Sequence, residues 1–372
     1  MTDWSDIGSK KPVNENVSLI LKLIGVAALL YLFIVAITLL SSAFKLAGRE
    51  FAEAMFSSSG NPLVSLAIGL LATSLIQSSS TTTSLIVALV AAGTLDFHAA
   101  IPMVMGANIG TSVTNTIVSL AHISRGDEFK RAFAGSTVHD FFNICSVAVM
   151  LPLEISFGII GRSALFLEQI FEGFGGLKFT SPVKAATKPV AKEIVHLLGD
   201  SATLTAILGI ALTFLALRYI VKLLKSLVLA RVEKFFQRFI FRTPVLGFLF
   251  GIVLTVMVQS SSITTSLVVP LLGAGVLNLY QVFPYMLGAN IGTTVTAFLA
   301  SFVTGSPEAV SVAFAHLTFN LFGISIFWPL KAIPIRMAET LSAFTQKSRL
   351  IPFAYILVFF FLLPSAVIFF ME

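Results

Sequence analysis

Apolar residues in this chain come in long unbroken runs, not in the alternation of strands or the one-sided stripe of a surface helix. Seven runs, near 17–41, 98–121, 132–153, 201–224, 281–304, 309–330 and 350–370, are each long enough to cross about 30 Å of hydrocarbon as helix. Two more, 62–93 and 244–275, are interrupted by the same polar run, Gln77-Ser78-Ser79-Ser80 and Gln259-Ser260-Ser261-Ser262. Each half has roughly 15 residues, ~22 Å of helix, too short to span alone. The pattern predicts re-entrant helical hairpins with the polar run at the tip. Irregular backbone at that depth is tolerated only where protein or water covers it.

The interruptions belong to a repeat. Thr81-Thr82-Thr83-Ser84-Leu85 after the first run returns as Ile263-Thr264-Thr265-Ser266-Leu267 after the second. Gly106-Ala107-Asn108-Ile109-Gly110-Thr111-Ser112-Val113-Thr114 returns as Gly288-Ala289-Asn290-Ile291-Gly292-Thr293-Thr294-Val295-Thr296. Both blocks keep one offset of 182 positions, Gln77 to Gln259 and Gly106 to Gly288. His139 and Asn143 return as His316 and Asn320 at an offset of 177, while Asp140 meets Leu317 and has no counterpart. Three crossings, 98–121, 132–153 and 201–224, lie between the hairpins. An odd number makes the second hairpin enter from the opposite side, so the repeats are expected to be inverted.

Composition agrees with a membrane. The chain of 372 residues is 56% hydrophobic and 11% charged, against about 25% charged in soluble domains. The net charge of +6 is gathered in loops. The stretch 218–242 carries Arg218, Lys222, Lys225, Arg231, Lys234, Arg238 and Arg242 against Glu233 alone, which marks it as cytoplasmic. By count, the N-terminus with Lys10 and Lys11, the loop 122–131 and the segment 331–349 fall on the same side, and 154–200 is the longest outside loop. A nucleic-acid partner is not expected, because no soluble basic face is present. Residues 1–16 are polar and no cleavable leader is evident, so the first span is expected to stay. Cys145 is the only cysteine, which excludes an internal disulfide.

The polar groups of the tips are neutral. No Lys or Arg occurs between Arg49 and Arg125, nor between Arg242 and Lys331. Amide, carbonyl and hydroxyl oxygens suit a hard alkali cation, and hydroxyls with backbone N–H groups at a half-helix N-terminus suit an anion. An anion buried there without a fixed cation costs many kcal/mol, so positive charge has to travel with it. A cation-coupled anion symporter follows. The two glycines around Asn108, and again around Asn290, predict a second break, in the helix that follows each hairpin. His139 and His316 suit interhelical hydrogen bonding, and Asp96 and His98 a membrane interface.

These motifs resemble those of the type II sodium/phosphate cotransporter family. The marks are Gln-Ser-Ser-Ser in each repeat, the two Gly-Ala-Asn-Ile-Gly-Thr blocks, and Arg131-Ala132-Phe133-Ala134-Gly135-Ser136-Thr137-Val138-His139-Asp140-Phe141-Phe142-Asn143. The resemblance covers about 60–370. It implies sodium-driven uptake of inorganic phosphate across a plasma membrane, a bacterial inner membrane, with sodium as the only metal and no cofactor. By the same resemblance Gln77, Ser78, Ser79, Ser80, Ser260, Ser261 and Asn108 would contact phosphate. Gln259, Ser260, Ser262, Asn290, Thr293, Thr296, Thr111 and Thr114 would contact sodium. Two departures stand out: 154–200 is short and lacks cysteine, and Arg125 lies in the loop where a sodium-linked carboxylate is expected.

The expected fold is an all-α polytopic membrane protein of two inverted-topology repeats, each a re-entrant hairpin followed by broken transmembrane helices. The N-terminus and first helix take 1–59, the first repeat 60–160, and a linker with one span and the basic stretch 161–242. The second repeat takes 243–333 and the last span 334–372. Rival readings are a sodium/dicarboxylate symporter, an anion channel, and a membrane phosphate sensor. An enzyme is not expected, because no nucleophile–base pair or metal cluster is visible.

Overall fold

The structure is a computed structural model. It describes residues 60–124, 126–173, 182–212 and 242–371, with single positions between 21 and 46 and between 215 and 219. Lys10, Lys11, Arg125 and the basic residues from Arg218 to Arg238 lie outside the described residues, as does part of the first span. The regular elements among the described residues are helices. Four are long and apolar enough to cross a membrane: Gly126–Phe157, Leu279–Thr304, Pro307–Phe327 and Ile351–Met371.

Each interrupted apolar stretch folds as helix, reversal, helix. Helix α1, Pro62–Ile76, starts where Asn61 Oδ1 accepts the Leu63 N–H and a proline takes the first turn, whose N–H groups need no helical partner. It stops at Gln77, which sits in the left-handed region at φ 55°. Ser78 then swings to extended backbone, and its Oγ accepts the Thr81 N–H to start α2, Ser79–Ala92. After α2 come α3, Phe97–Gly110, α4, Val113–Ser119, and the long α5, Gly126–Phe157. Helices α6, Ile159–Gly173, α7, Pro182–Leu197, and α8, Ala202–Leu212, follow.

The second repeat copies the construction. Thr243 caps α9, Pro244–Val258, Gln259 ends it at φ 53°, and Ser260 Oγ accepts the Ile263 N–H. Its descending leg is split into α10, Ser261–Ser266, and α11, Val269–Gly273. Pro270 has no N–H to continue the ladder, which accounts for the split. Then come α12, Leu279–Thr304, α13, Pro307–Phe327, α14, Ala332–Phe344, and α15, Ile351–Met371.

Glycines show the direction of the chain. A methyl group on Gly69 would overlap Met103 backbone, one on Gly106 the Leu66 carbonyl, and one on Gly110 the Leu70 carbonyl and the Thr73 side chain. The partners rise together in number, so α1 and α3 run parallel in direct backbone contact. The chain therefore returns through α2 to the level at which α1 began. In the second repeat Gly251, Gly288 and Gly292 hold α9 against α12 in the same parallel register, touching Tyr285, Phe248 and Thr255.

This corrects one expectation. The glycines around Asn108 and Asn290 were expected to unwind their helices. Instead α12 runs unbroken through Gly288 to Thr293, and in the first repeat the interruption falls after Gly110, at Thr111-Ser112. The glycines are small so that two backbones can touch, and α12 stays helical through them. A second difference is in 154–200, expected as a loop, where α6 and α7 form. Phe171 of α6 stacks on Phe302 of α12 at 5.4 Å and meets Phe314 of α13 at 6.1 Å, so this segment packs on the core. Helix α14 likewise occupies much of the expected loop 331–349.

Candidate functional site

The two tips meet. Ser80 Oγ donates to the Gln259 carbonyl at 3.4 Å, joining positions 179 apart in sequence. The first turns of α2 are almost wholly hydroxyl-bearing, and Ser79, Ser80, Thr81, Thr82, Thr83 and Ser84 are all buried. Across from them Ser261, Ser262, Thr264 and Thr265 are buried on α10. Hydroxyls at the start of α2 supply donors beside N–H groups that the helix leaves unpaired. The extended Ser78 and Ser260 carry the capping oxygens, and Ser78 Oγ also lies 2.9 Å from Thr81 Oγ1.

The two glutamines differ. Gln259 is half-buried and fully engaged: its Oε1 accepts from Thr296 Oγ1 at 2.9 Å and its Nε2 donates to the Val256 carbonyl at 2.7 Å. Gln77 is exposed. Thr114, the counterpart of Thr296, has a buried Oγ1 with no partner among the described residues. Ser262 Oγ donates to the Thr111 carbonyl at 3.3 Å, so the second tip also touches the helix break of the first repeat. The hydroxyls of Thr111 and Thr293 donate back to Ala107 and Ala289 carbonyls, both at 3.0 Å, and keep only lone pairs for a cation.

Asn108 and Asn290 belong to a crossed network. His316 Nε2 lies 2.9 Å from Asn108 Oδ1, and Asn108 Nδ2 donates to Asn320 Oδ1 at 2.9 Å. Reciprocally, His139 Nε2 lies 2.6 Å from Asn290 Oδ1, and Asn290 Nδ2 donates to Asn143 Oδ1 at 2.8 Å. Each repeat's His-Asn pair thus holds the other repeat's asparagine. Both amides are occupied at both ends, and every member is buried. The network joins α3 to α13 and α5 to α12 and ties the two repeats together.

Two residues enter that the sequence motifs left out, Asn115 and Tyr355, and Asp140 gains a partner. Asn115 on α4 reaches Thr265 and Ser266 on α10. Tyr355 on α15 donates from its hydroxyl to Asp140 Oδ2 at 2.9 Å, while Asp140 Oδ1 is buried without a partner among the described residues. Asp140 and Asn115 share one signal: each departs from the repeat, facing Leu317 and Ala297 in the second copy.

The described residues hold no group of three or more His, Cys, Asp and Glu side chains able to bind a metal ion. The oxygens at the tips are neutral, the donor set of an alkali cation, not of a transition metal. The family model for the Na+/Pi-cotransporter matches residues 32–180 and 212–342, and so contains both tips. The chain belongs to the Na+/Pi-cotransporter family. Sodium-dependent phosphate transport protein 2A of Oryctolagus cuniculus is 35% identical over 444 residues, covering 97% of this chain and 69% of that protein. Sodium-dependent phosphate transport protein 2B of Homo sapiens is 33% identical over 463 residues, 98% of this chain and 67% of that protein. The 2A protein of Mus musculus is 35% identical, with 94% and 67% covered. The chain spans about two thirds of the length of these relatives. No solved structure matches it. Family membership makes the chain a membrane transporter, in keeping with its four long apolar helices.

Proposed function

We propose that the chain imports inorganic phosphate with sodium by alternating access, at a site between the two hairpin tips near the membrane midplane. One observation carries this reading: two polar tips meet, Ser80 against Gln259, inside sequence windows with no Lys or Arg. Phosphate binds at the start of α2, on Gln77 and the hydroxyls of Ser78, Ser79 and Ser80, with Ser260 and Ser261 reaching from the facing tip. The exposed Gln77 is the side chain free to close on it. Sodium is held by neutral oxygens around Gln259 and Thr296, with Ser260, Ser262, Thr293, Thr111 and Thr114 contributing. The positive charge that the protein withholds from the site arrives with the sodium, so neither ion is well accommodated alone.

Asn108 and Asn290 leave the ligand set in this reading, since both amides are taken by the crossed histidines. They act as the frame of the site. The hairpins are re-entrant and the repeats inverted, so that alternation can expose the tips to either side. The membrane is a plasma membrane, a bacterial inner membrane, with the N-terminus cytoplasmic.

The test is uptake of labelled phosphate into proteoliposomes. A sodium gradient drives accumulation, and a potassium gradient of equal size does not. Equal uptake under both gradients removes the coupling. Succinate that displaces labelled phosphate while arsenate does not moves the substrate to a dicarboxylate.

A further inference from the structure

The repeat symmetry fails at one buried amide. Asn115 is fully buried on α4. Its Nδ2 donates to Thr265 Oγ1 at 2.8 Å, and its Oδ1 accepts from Ser266 Oγ at 2.8 Å and lies 3.0 Å from the Thr265 hydroxyl. These contacts tie the descending leg of the second hairpin to the first repeat. The residue 182 positions later is Ala297, whose side chain has nothing to donate or accept. The counterpart of Thr265 is Thr83, which is 1% exposed and whose Oγ1 has no partner among the described residues.

Two more contacts are one-sided, the first of them within the second repeat and the second across the repeats. Gln259 is held by Thr296, whereas Thr114 is unpartnered. Ser262 reaches the Thr111 carbonyl, whereas Ser80, its counterpart, reaches only the facing tip, at Gln259. Among the described residues, side-chain hydrogen bonds tie the second tip to the opposite repeat at Thr111 and Asn115 and the first tip to the second tip at Gln259, while the remainder of α2 is held on the opposite repeat by apolar packing of Ile86, Val87 and Val90 near Ala300 and Val312.

We propose that Asn115 is a positioning residue that anchors the second tip, leaving the first tip as the one that moves when substrate binds. A buried amide satisfied by two hydroxyls stiffens what it joins, because opening the contact strands the amide and the Ser266 hydroxyl, while Thr265 keeps only the Ser261 carbonyl. A hairpin leg with an orphaned threonine opens at lower cost. The consequence for uptake rests on the transport reading above; the anchoring does not.

The test measures hydrogen–deuterium exchange on the purified full chain in lipid nanodiscs. Asn115→Ala is expected to speed exchange across 259–266 on the order of tenfold and to leave 77–84 at the wild-type rate. Thr265→Val breaks the contact from the other side and gives the same pattern. Ala297→Asn supplies the missing amide and slows exchange across 77–84. Wild-type exchange in 259–266 after both disrupting changes, or an equal rise in both tips, overturns the anchor. If Asn115→Ala does not fold, Thr265→Val and Ala297→Asn decide the question. In proteoliposomes Asn115→Ala raises the half-saturating sodium concentration about 3- to 10-fold and keeps the maximal rate, a split that general misfolding does not produce. A wild-type protein without sodium-driven uptake sinks the transport reading and leaves the exchange result standing.

Discussion

The two hairpin tips share a sequence and a backbone but not a set of contacts. Gln77 and Gln259 end their helices in the same left-handed conformation, at φ 55° and 53°. Ser78 and Ser260 cap the next helix in the same way. Yet Gln259 is bonded through Thr296 and Val256, while Gln77 lies exposed. Local sequence sets the reversal. What each tip touches is set beyond the motif: at Asn115 by a residue that the second copy replaces with Ala297, and at Thr296 by placement, since its identical counterpart Thr114 has no partner among the described residues.

The largest expected effects come from the glutamines. Gln77→Ala and Gln259→Ala each abolish sodium-driven phosphate uptake with normal membrane expression. They differ in stability: only Gln259→Ala strands a bonded hydroxyl, on Thr296, and lowers the unfolding free energy by about 1–2 kcal/mol. Uptake within about twofold of wild type removes the glutamine concerned from the site. Equal thermal midpoints for the two variants would erase the difference between the tips.

Where the repeats agree, the effects should match. Asn108→Ala and Asn290→Ala each strand a buried histidine nitrogen and a buried amide oxygen, on Asn320 and Asn143 respectively, costing about 2–4 kcal/mol in thermal unfolding. A large inequality between them would show that the crossed network is not equivalent in its two halves. Gly106→Ala and Gly288→Ala push a methyl into the Leu66 and Phe248 carbonyls and cost about 1–3 kcal/mol each. Retained stability in both would mean that the parallel helices slide apart freely. The smallest effect separates the tips again. Thr83→Val removes an unpartnered buried hydroxyl and is neutral or stabilising by up to about 1 kcal/mol. A loss of stability on that change would reveal a partner for Thr83.

The hairpins were legible because a polar run cut an apolar run at its middle, which a spanning helix has no use for. The crossed network was half legible. The paired histidines suggested interhelical bonds, but sequence could not say that each would reach the opposite repeat. The glycines misled because a close approach of backbones and an unwound turn call for the same small residue. Helices α6 and α7 escaped notice because their apolar positions are one-sided and their runs short, which hydropathy alone reads as a loop. Asn115 was hidden by the motif around it: identity between the copies drew attention, while the contact that distinguishes them sits at a mismatch.

The crossed histidines and asparagines carry a consequence for how this architecture could arise and be taken apart. Each half lends the other the amide that completes its histidine, the geometry of two identical subunits that have exchanged arms. One polypeptide now keeps those halves at equal dose. Severed between 213 and 241 and made as two pieces, neither half could bury its polar cluster alone, and together they should reassemble as an obligate pair.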